Sequence, residues 1–323
     1  MSLIRLSALA LGFALSLFVP PAWADELNIY FKTTPSFEQL RPYADPAILS
    51  LLVTDANGQP VREGSAALRL DAPRSGVFFS TDFPWVEGTR LHEMRLNLRQ
   101  GGANWKYLFP IRGEYRIDVS VSTADGRKAS KEFTFNVREN EQKWSALAAF
   151  SAGLFCLGLI AGRVFTAAPK PAAIIILVLL SASTARADTN PVPQDASAVL
   201  EVAPATVGRP TVVRWRFDNA VDPSRVLLSL AIVHLEKGKT VFEVERISVP
   251  GEFAMNFQFT DGAEYRLIAV GEQPGRTPIR TEKTISATAL EPPTNAMVPA
   301  FGYFIALIAA GLIAGRWSKR RVP

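Results

Sequence analysis

Tyr115-Arg116-Ile117-Asp118-Val119-Ser120-Val121 decides how the chain is read. Apolar residues fall at every second position with charged or hydroxyl side chains between them. One face of such an extended segment can be buried while the other stays in water. An Asp125-Gly126 turn follows, and beyond it Phe133, Phe135 and Val137 alternate with Thr134 and Asn136. Two alternating runs across such a turn predict a hairpin. Upstream, Ile48 to Thr54 runs into Asp55-Ala56-Asn57-Gly58, another strand and turn. The same period returns in Val213, Trp215 and Phe217, in Phe253, Met255, Phe257 and Phe259, and in Tyr265, Leu267 and Ala269. Neither 25–142 nor 188–292 carries a helical period. Short alternating strands at this spacing predict two antiparallel β-sandwiches of immunoglobulin-like type.

The chain also reads as one unit written twice. Gly113-Glu114-Tyr115-Arg116-Ile117 returns 150 residues later as Ala263-Glu264-Tyr265-Arg266-Leu267. Gly158-Leu159-Ile160-Ala161-Gly162-Arg163 returns unchanged, 153 residues on, as Gly311 to Arg316. An Ala-x-Ala-Asp ending occurs at Ala22 to Asp25 and again at Ala185 to Asp188. A tandem duplication of a single-span envelope protein accounts for all three matches.

Apolar runs set the expected topology. Residues 1–24 have the build of an export signal: Arg5, an apolar stretch from Leu6 to Val19, and Ala22-Trp23-Ala24 before the expected cut. The alternative is an uncleaved anchor. Runs at 144–165 and 297–316 are long enough to cross the ~30 Å of a bilayer core. The third, 172–187, is short for a span and ends like a signal, so it reads either as a returning membrane helix or as a second cleavage site. With both sandwiches outside, the loop 166–171 and the tail 317–323 are cytosolic, and the basic residues fit that orientation. Arg163, Lys170, Arg316, Lys319, Arg320 and Arg321 lie at the inner ends. Taking these six and Arg5 from the 35 Lys and Arg leaves 28 against 30 Asp and Glu. The basic pI of about 9.4 is therefore a topology signal and not a nucleic-acid footprint. A bacterial-type inner (plasma) membrane is the expected location.

Few residues suggest chemistry. Cys156 is the one cysteine, so no intrachain disulfide is possible. No Gly-x-Ser-x-Gly elbow, His-Glu-x-x-His, phosphate loop or dinucleotide fingerprint is present, and His92 and His234 are the only histidines. His92 and Met94 lie two apart on a predicted strand, hence on one face, and suit copper(I); His234 ends the apolar strand 227–233. The bland reading makes these an edge histidine and core methionines. Gly158 with Gly162, and Gly311 with Gly315, place two glycines one turn apart on a membrane helix. Such a strip lets another helix backbone approach closely, joining the two copies to each other or to another subunit. The aromatic segment from Val77 to Val86 reads as a contact loop for a partner or lipid, or as a core strand followed by a plugging loop.

From Ser229-Leu230-Ala231-Ile232-Val233-His234 through Gly251-Glu252-Phe253 to Glu264-Tyr265-Arg266-Leu267, the second sandwich resembles the YtkA/FixH-like family of envelope domains. That resemblance covers about a third of the chain and implies copper handling or cytochrome oxidase assembly. The further metal ligands it would imply are missing. The layout is also similar to the B subunit of particulate methane and ammonia monooxygenases, without their histidine-rich copper motifs and with a third helix added. The leading expectation is a non-catalytic, membrane-anchored binding or assembly module that holds no cofactor. Its partners would be lipid and a membrane-protein partner or a second copy. The alternative is envelope copper handling through His92 with Met94, or through His234. An enzyme of unrecognised type is the third reading.

Overall fold

The structure, a computed structural model, describes residues 27–76, 80–164, 198–217, 226–291 and 294–320. The segments 1–24 and 172–187, and the end of the basic tail, lie outside the described residues. The first half holds seven strands: β1 (Asn28–Thr34), β2 (Ala47–Thr54), β3 (Glu63–Asp71), β4 (Arg90–Arg99), β5 (Gly102–Tyr107), β6 (Gly113–Thr123) and β7 (Lys128–Val137), followed by helix α1 (Glu141–Val164). The second half repeats the order with β8 (Ala198–Val202), β9 (Pro210–Phe217), β10 (Val226–His234), β11 (Lys239–Val249), β12 (Glu252–Gln258), β13 (Glu264–Glu272), β14 (Ile279–Ser286) and helix α2 (Thr294–Arg320).

Each half is a sandwich in which strands one, two and five face strands four, three, six and seven. The halves are not separate beads. The edge strand β5 pairs with β11, and β12 pairs with β4, so two antiparallel seven-stranded sheets run through both halves. One reads β1-β2-β5-β11-β10-β13-β14, the other β7-β6-β3-β4-β12-β9-β8. A single rung, Arg99 to Gly102, ties them through the β4–β5 hairpin. Alone, the first sandwich would leave the β4 and β5 edges, and the second the β11 and β12 edges, with unpaired N–H and C=O groups; each half closes those of the other. One continuous apolar core lies between the sheets.

The two rows of seam pairing are related residue by residue. Tyr107 and Trp105 stand opposite Phe242 and Val244. Phe257 and Met255 stand opposite His92 and Met94. Adding 150 to the first-half members of one row (107 to 257, 92 to 242) generates the partners in the other. The seam thus has the local form of a two-fold contact.

The repeated Glu-Tyr-Arg motif has a physical reason. On β6 the buried Tyr115 hydroxyl donates to the Ile111 carbonyl at 2.7 Å and accepts from the Ile111 N–H at 3.1 Å. On β13 the Tyr265 hydroxyl turns back to Asp261, donating to its carboxylate, with the Asp261 carbonyl 3.4 Å away. Both are tyrosine corners, which pin the connection entering the sixth strand of an immunoglobulin-like sandwich. Tyr115→Phe is expected to lower stability by about 1–3 kcal/mol, because both backbone groups of Ile111 lose a buried partner. Thermal unfolding of the full chain in detergent checks this. The turns at Gly58 and Gly126 carry φ of 77° and 87°, which glycine adopts without strain.

The helices start and stop away from the apolar runs: α1 extends back through Lys143 and Gln142 to Glu141, and α2 continues through Ser318 and Lys319 to Arg320. Both are long and apolar enough to cross a membrane. They run parallel and pack on one another through the four glycines. A Cβ built on Gly158 would lie 3.2 Å from the Gly311 Cα, and one on Gly162 3.0 Å from the Leu312 Cα. A Cβ on Gly315 would lie 3.1 Å from the Gly162 Cα. Tyr303 donates to the Ser151 hydroxyl at 3.2 Å near one end, and Arg163 Nε donates to the Ser318 hydroxyl at 2.9 Å near the other.

Candidate functional site

The seam brings the scarce residues together. His92, at one end of its row of pairings, is 1% exposed and packs between the sheets. The Tyr107, Phe242 and Trp105 rings surround it at centroid distances of 5.2, 5.9 and 6.4 Å. Neither of its ring nitrogens has a hydrogen-bond partner among the described residues. Burial pushes its pKa down to about 3, so the imidazole stays neutral across the physiological range. Met94 lies on the same face of β4, two residues on, and is also buried. Directly across the seam from Met94 is Met255 of the other half. The sequence places His92 with Met94 and puts Met255 on a later strand, without showing that the two strands pair. The available signal was rarity, since the chain has only four methionines.

His234 does not join them. It ends β10, wholly buried against the Tyr265 ring, and both of its nitrogens are engaged. Nε2 lies 3.1 Å from the Asp261 carboxylate, and Nδ1 is 3.3 Å from the Lys237 backbone nitrogen, whose N–H donates to it. The ring is therefore fixed as a structural donor and acceptor, with no lone pair left for a metal. Asp261 gathers Lys237 Nζ at 2.6 Å and the Tyr265 hydroxyl on the same carboxylate. Burial alone would raise the Asp261 pKa, but the hydrogen bonds from Lys237, Tyr265 and His234 outweigh it and hold the pKa below its ordinary value.

This polar knot sits on the seam at the helix-bearing end and binds the halves together. Lys237 Nζ stands 4.0 Å over the Tyr43 ring, and Tyr43 Oη lies 2.9 Å from the Thr260 hydroxyl. Trp85 Nε1 donates to the Thr260 carbonyl at 3.0 Å, and Lys239 Nζ donates to the Tyr43 carbonyl at 2.8 Å. The aromatic segment is therefore a bridging loop and not a strand over its described part, residues 80–86. Val86 is buried, Phe83 packs on Tyr43, and Trp85 reaches the other half. Residues 77–79 lie outside the described residues. Beneath this knot a cavity of about 10 Å³ touches Tyr43, Tyr107, Gln258, Thr260 and Tyr265. It has room for one water and not for a substrate. A larger open groove of about 610 Å³ lies at the far end of the first half, between the Asp55–Glu63 and Thr123–Arg127 turns. Within it Asp125 pairs with Arg127, and Asp55 accepts from the Asn57 and Gln59 N–H groups.

No family model and no curated protein matches the chain. Among solved structures it is similar to a tetra-tandem repeat from the extending region of a large adhesion protein, at 9% identity and TM-score 0.23, over 81% of this chain and 50% of that one. The chain thus spans half the length of that adhesin fragment. It is similar at 8% identity and TM-score 0.23 to the chicken interferon gamma receptor alpha chain, over 81% of this chain and 97% of that one. A 1.5-MDa bacterial ice-binding adhesin gives 9% identity and TM-score 0.24, over 82% and 64%. At such scores the likenesses carry no argument about function, and the sandwich assignment rests on the chain's own strand order and tyrosine corners.

Proposed function

We propose that the chain is a non-catalytic, membrane-anchored binding or assembly module, built by internal duplication. Both sandwiches stand outside the cytosol at a bacterial-type inner membrane, and the helix pair docks against a membrane-protein partner. The observation that carries this reading is the contrast between the two surfaces of the helix pair. Its inner strip is closed by glycines, whereas its outer faces present Phe150, Leu157, Ile160, Phe301, Ile305 and Ile313, each more than half exposed. Large apolar side chains in that position require lipid or another helix. The matching strand order of the halves, the 150-residue relation across the seam and the parallel helices together support duplication. With β4, β5, β11 and β12 paired inside the chain, the seam edges are closed to a partner.

Affinity purification of the tagged full chain from mild detergent is expected to recover a membrane-protein partner in fixed ratio. Substituting polar residues for Phe301 and Ile305 is expected to release that partner. Recovery of the chain alone, from membranes that contain it at its native level, would overturn the assembly reading.

A further inference from the structure

We propose that His92, Met94 and Met255 form a buried site for one soft monovalent metal ion, copper(I), which clamps the two halves at the seam. Three observations converge on this site, and none of them depends on the partner proposed above. The first is rarity. The chain has two histidines and four methionines, and Met1 and Met297 lie outside the sandwiches. The two methionines left within them face each other across one rung of the seam, beside the histidine.

The second observation is the pseudo-two-fold relation of the halves. At the positions 150 residues from His92, Met94 and Met255 the chain has Phe242, Val244 and Trp105. The same core geometry is filled on that side by an aromatic ring, a branched aliphatic and an indole. Packing therefore requires nothing of position 92 beyond a ring. A histidine there gives up hydration at two nitrogens and gains no protein partner among the described residues.

The third is the chemistry of the donor set. A neutral imidazole and two thioethers are soft ligands without charge. They suit a d¹⁰ monocation, because an uncharged donor set leaves one net charge in the apolar core with a monocation and two with a dication, at a much higher desolvation cost. His92 and Met94 come from the first half and Met255 from the second. A bound ion therefore links β4 to β12 and adds a tie at the centre of the seam to the strand pairing, ring packing and polar contacts that already join the halves. The site is enclosed, so the ion enters and leaves only when the seam opens, and exchange is slow.

The test uses full-length chain in detergent carrying Cys156→Ala, which removes the exposed thiol as a competing soft ligand. Silver(I) serves as a redox-inert probe, followed by copper(I) held anaerobically by a competing chelator. One equivalent is expected to bind with a rise in melting temperature. Met94→Leu and Met255→Leu should each weaken binding at least ~10-fold. His92→Phe should abolish it while the metal-free protein melts no lower than its parent. No uptake by the parent at about 1 µM free ion overturns the proposal. So does equal affinity in His92→Phe. A metal-free His92→Phe protein that melts below its parent overturns it too, since the imidazole would then serve the fold.

Discussion

His92→Phe is expected to raise the stability of the metal-free chain, and to raise it most in mild acid. At neutral pH the gain comes from removing two buried nitrogens without partners, worth about 1–3 kcal/mol. Phe242 occupies the matching place in the other row of the seam, so the ring itself is accommodated. The acid term follows from proton linkage. Burial lowers the histidine's pKa from 6.5 to about 3, so below pH 6.5 the unfolded chain takes up a proton that the folded chain refuses. Stability is thus intact above pH 6.5 and falls as pH drops from there toward 3, at ~1.4 kcal/mol per pH unit. At pH 5 the parent should have lost ~2 kcal/mol through this group alone. His92→Phe should show that much less acid sensitivity than the parent between pH 7 and pH 5. Denaturant melts of both chains in chelator at the two pH values measure the difference. Equal pH dependence in the two proteins would show that His92 has a hydrogen-bond partner or reaches solvent.

The strands were legible because each has one buried and one solvated face, and period-two alternation records that directly. Tyr115, Ile117, Val119 and Val121 are all buried, and the residues between them are half-buried or exposed. The Glu-Tyr-Arg repeat was legible as a match, but its cause, a hydroxyl reaching back four residues, is a backbone contact that side-chain patterning does not encode. The seam was not legible at all. Trp105 and Tyr107 would alternate with Asn104 and Lys106 whether β5 ended a sheet or joined another, because pairing is made by the backbone. Only the outer-face pairs hint at it: Lys106 bridges to Glu243 and Glu245 at 2.9 and 2.8 Å, and Asn97 donates to the Ser248 carbonyl. Such charges are common on any solvated sheet face. Sequence patterning ends the strand 227–233 at His234 and offers the residue as a candidate metal ligand. Its partner Asp261 is 27 residues away and Lys237 closes the turn beside it, so burial and satisfaction both arise from tertiary contacts. The two long apolar runs were legible from composition, but not the helix ends, since Glu141, Gln142 and Lys143 are good helix formers that carry α1 beyond its apolar stretch.

Gly158→Leu combined with Gly162→Leu is expected to part the two helices while leaving both sandwiches folded. The closest neighbours of these glycines are backbone atoms: the carbonyl oxygens of Ile308 and Leu312 and the Cα atoms of Gly311 and Leu312. Backbone cannot rotate away as a side chain can, so even one Cβ forces the axes apart toward the usual spacing of about 8–10 Å. Separation should also break the Tyr303–Ser151 and Arg163–Ser318 hydrogen bonds at the two ends of the pair. Insertion is unaffected because leucine is more apolar than glycine. The sandwiches remain joined because the seam is made by strands and a shared core that the helices do not enter. Spin labels at Leu157 and Ile313, which are 63% and 64% exposed, report the interhelix distance in bilayers. The double variant should lengthen and broaden that distance by a few ångströms. Gly153→Leu and Gly302→Leu serve as controls, since a Cβ at either position meets nothing within 4 Å, and these should leave the distance unchanged. An unchanged distribution in the double variant would mean that the helices are held apart or together by something other than the glycine strip.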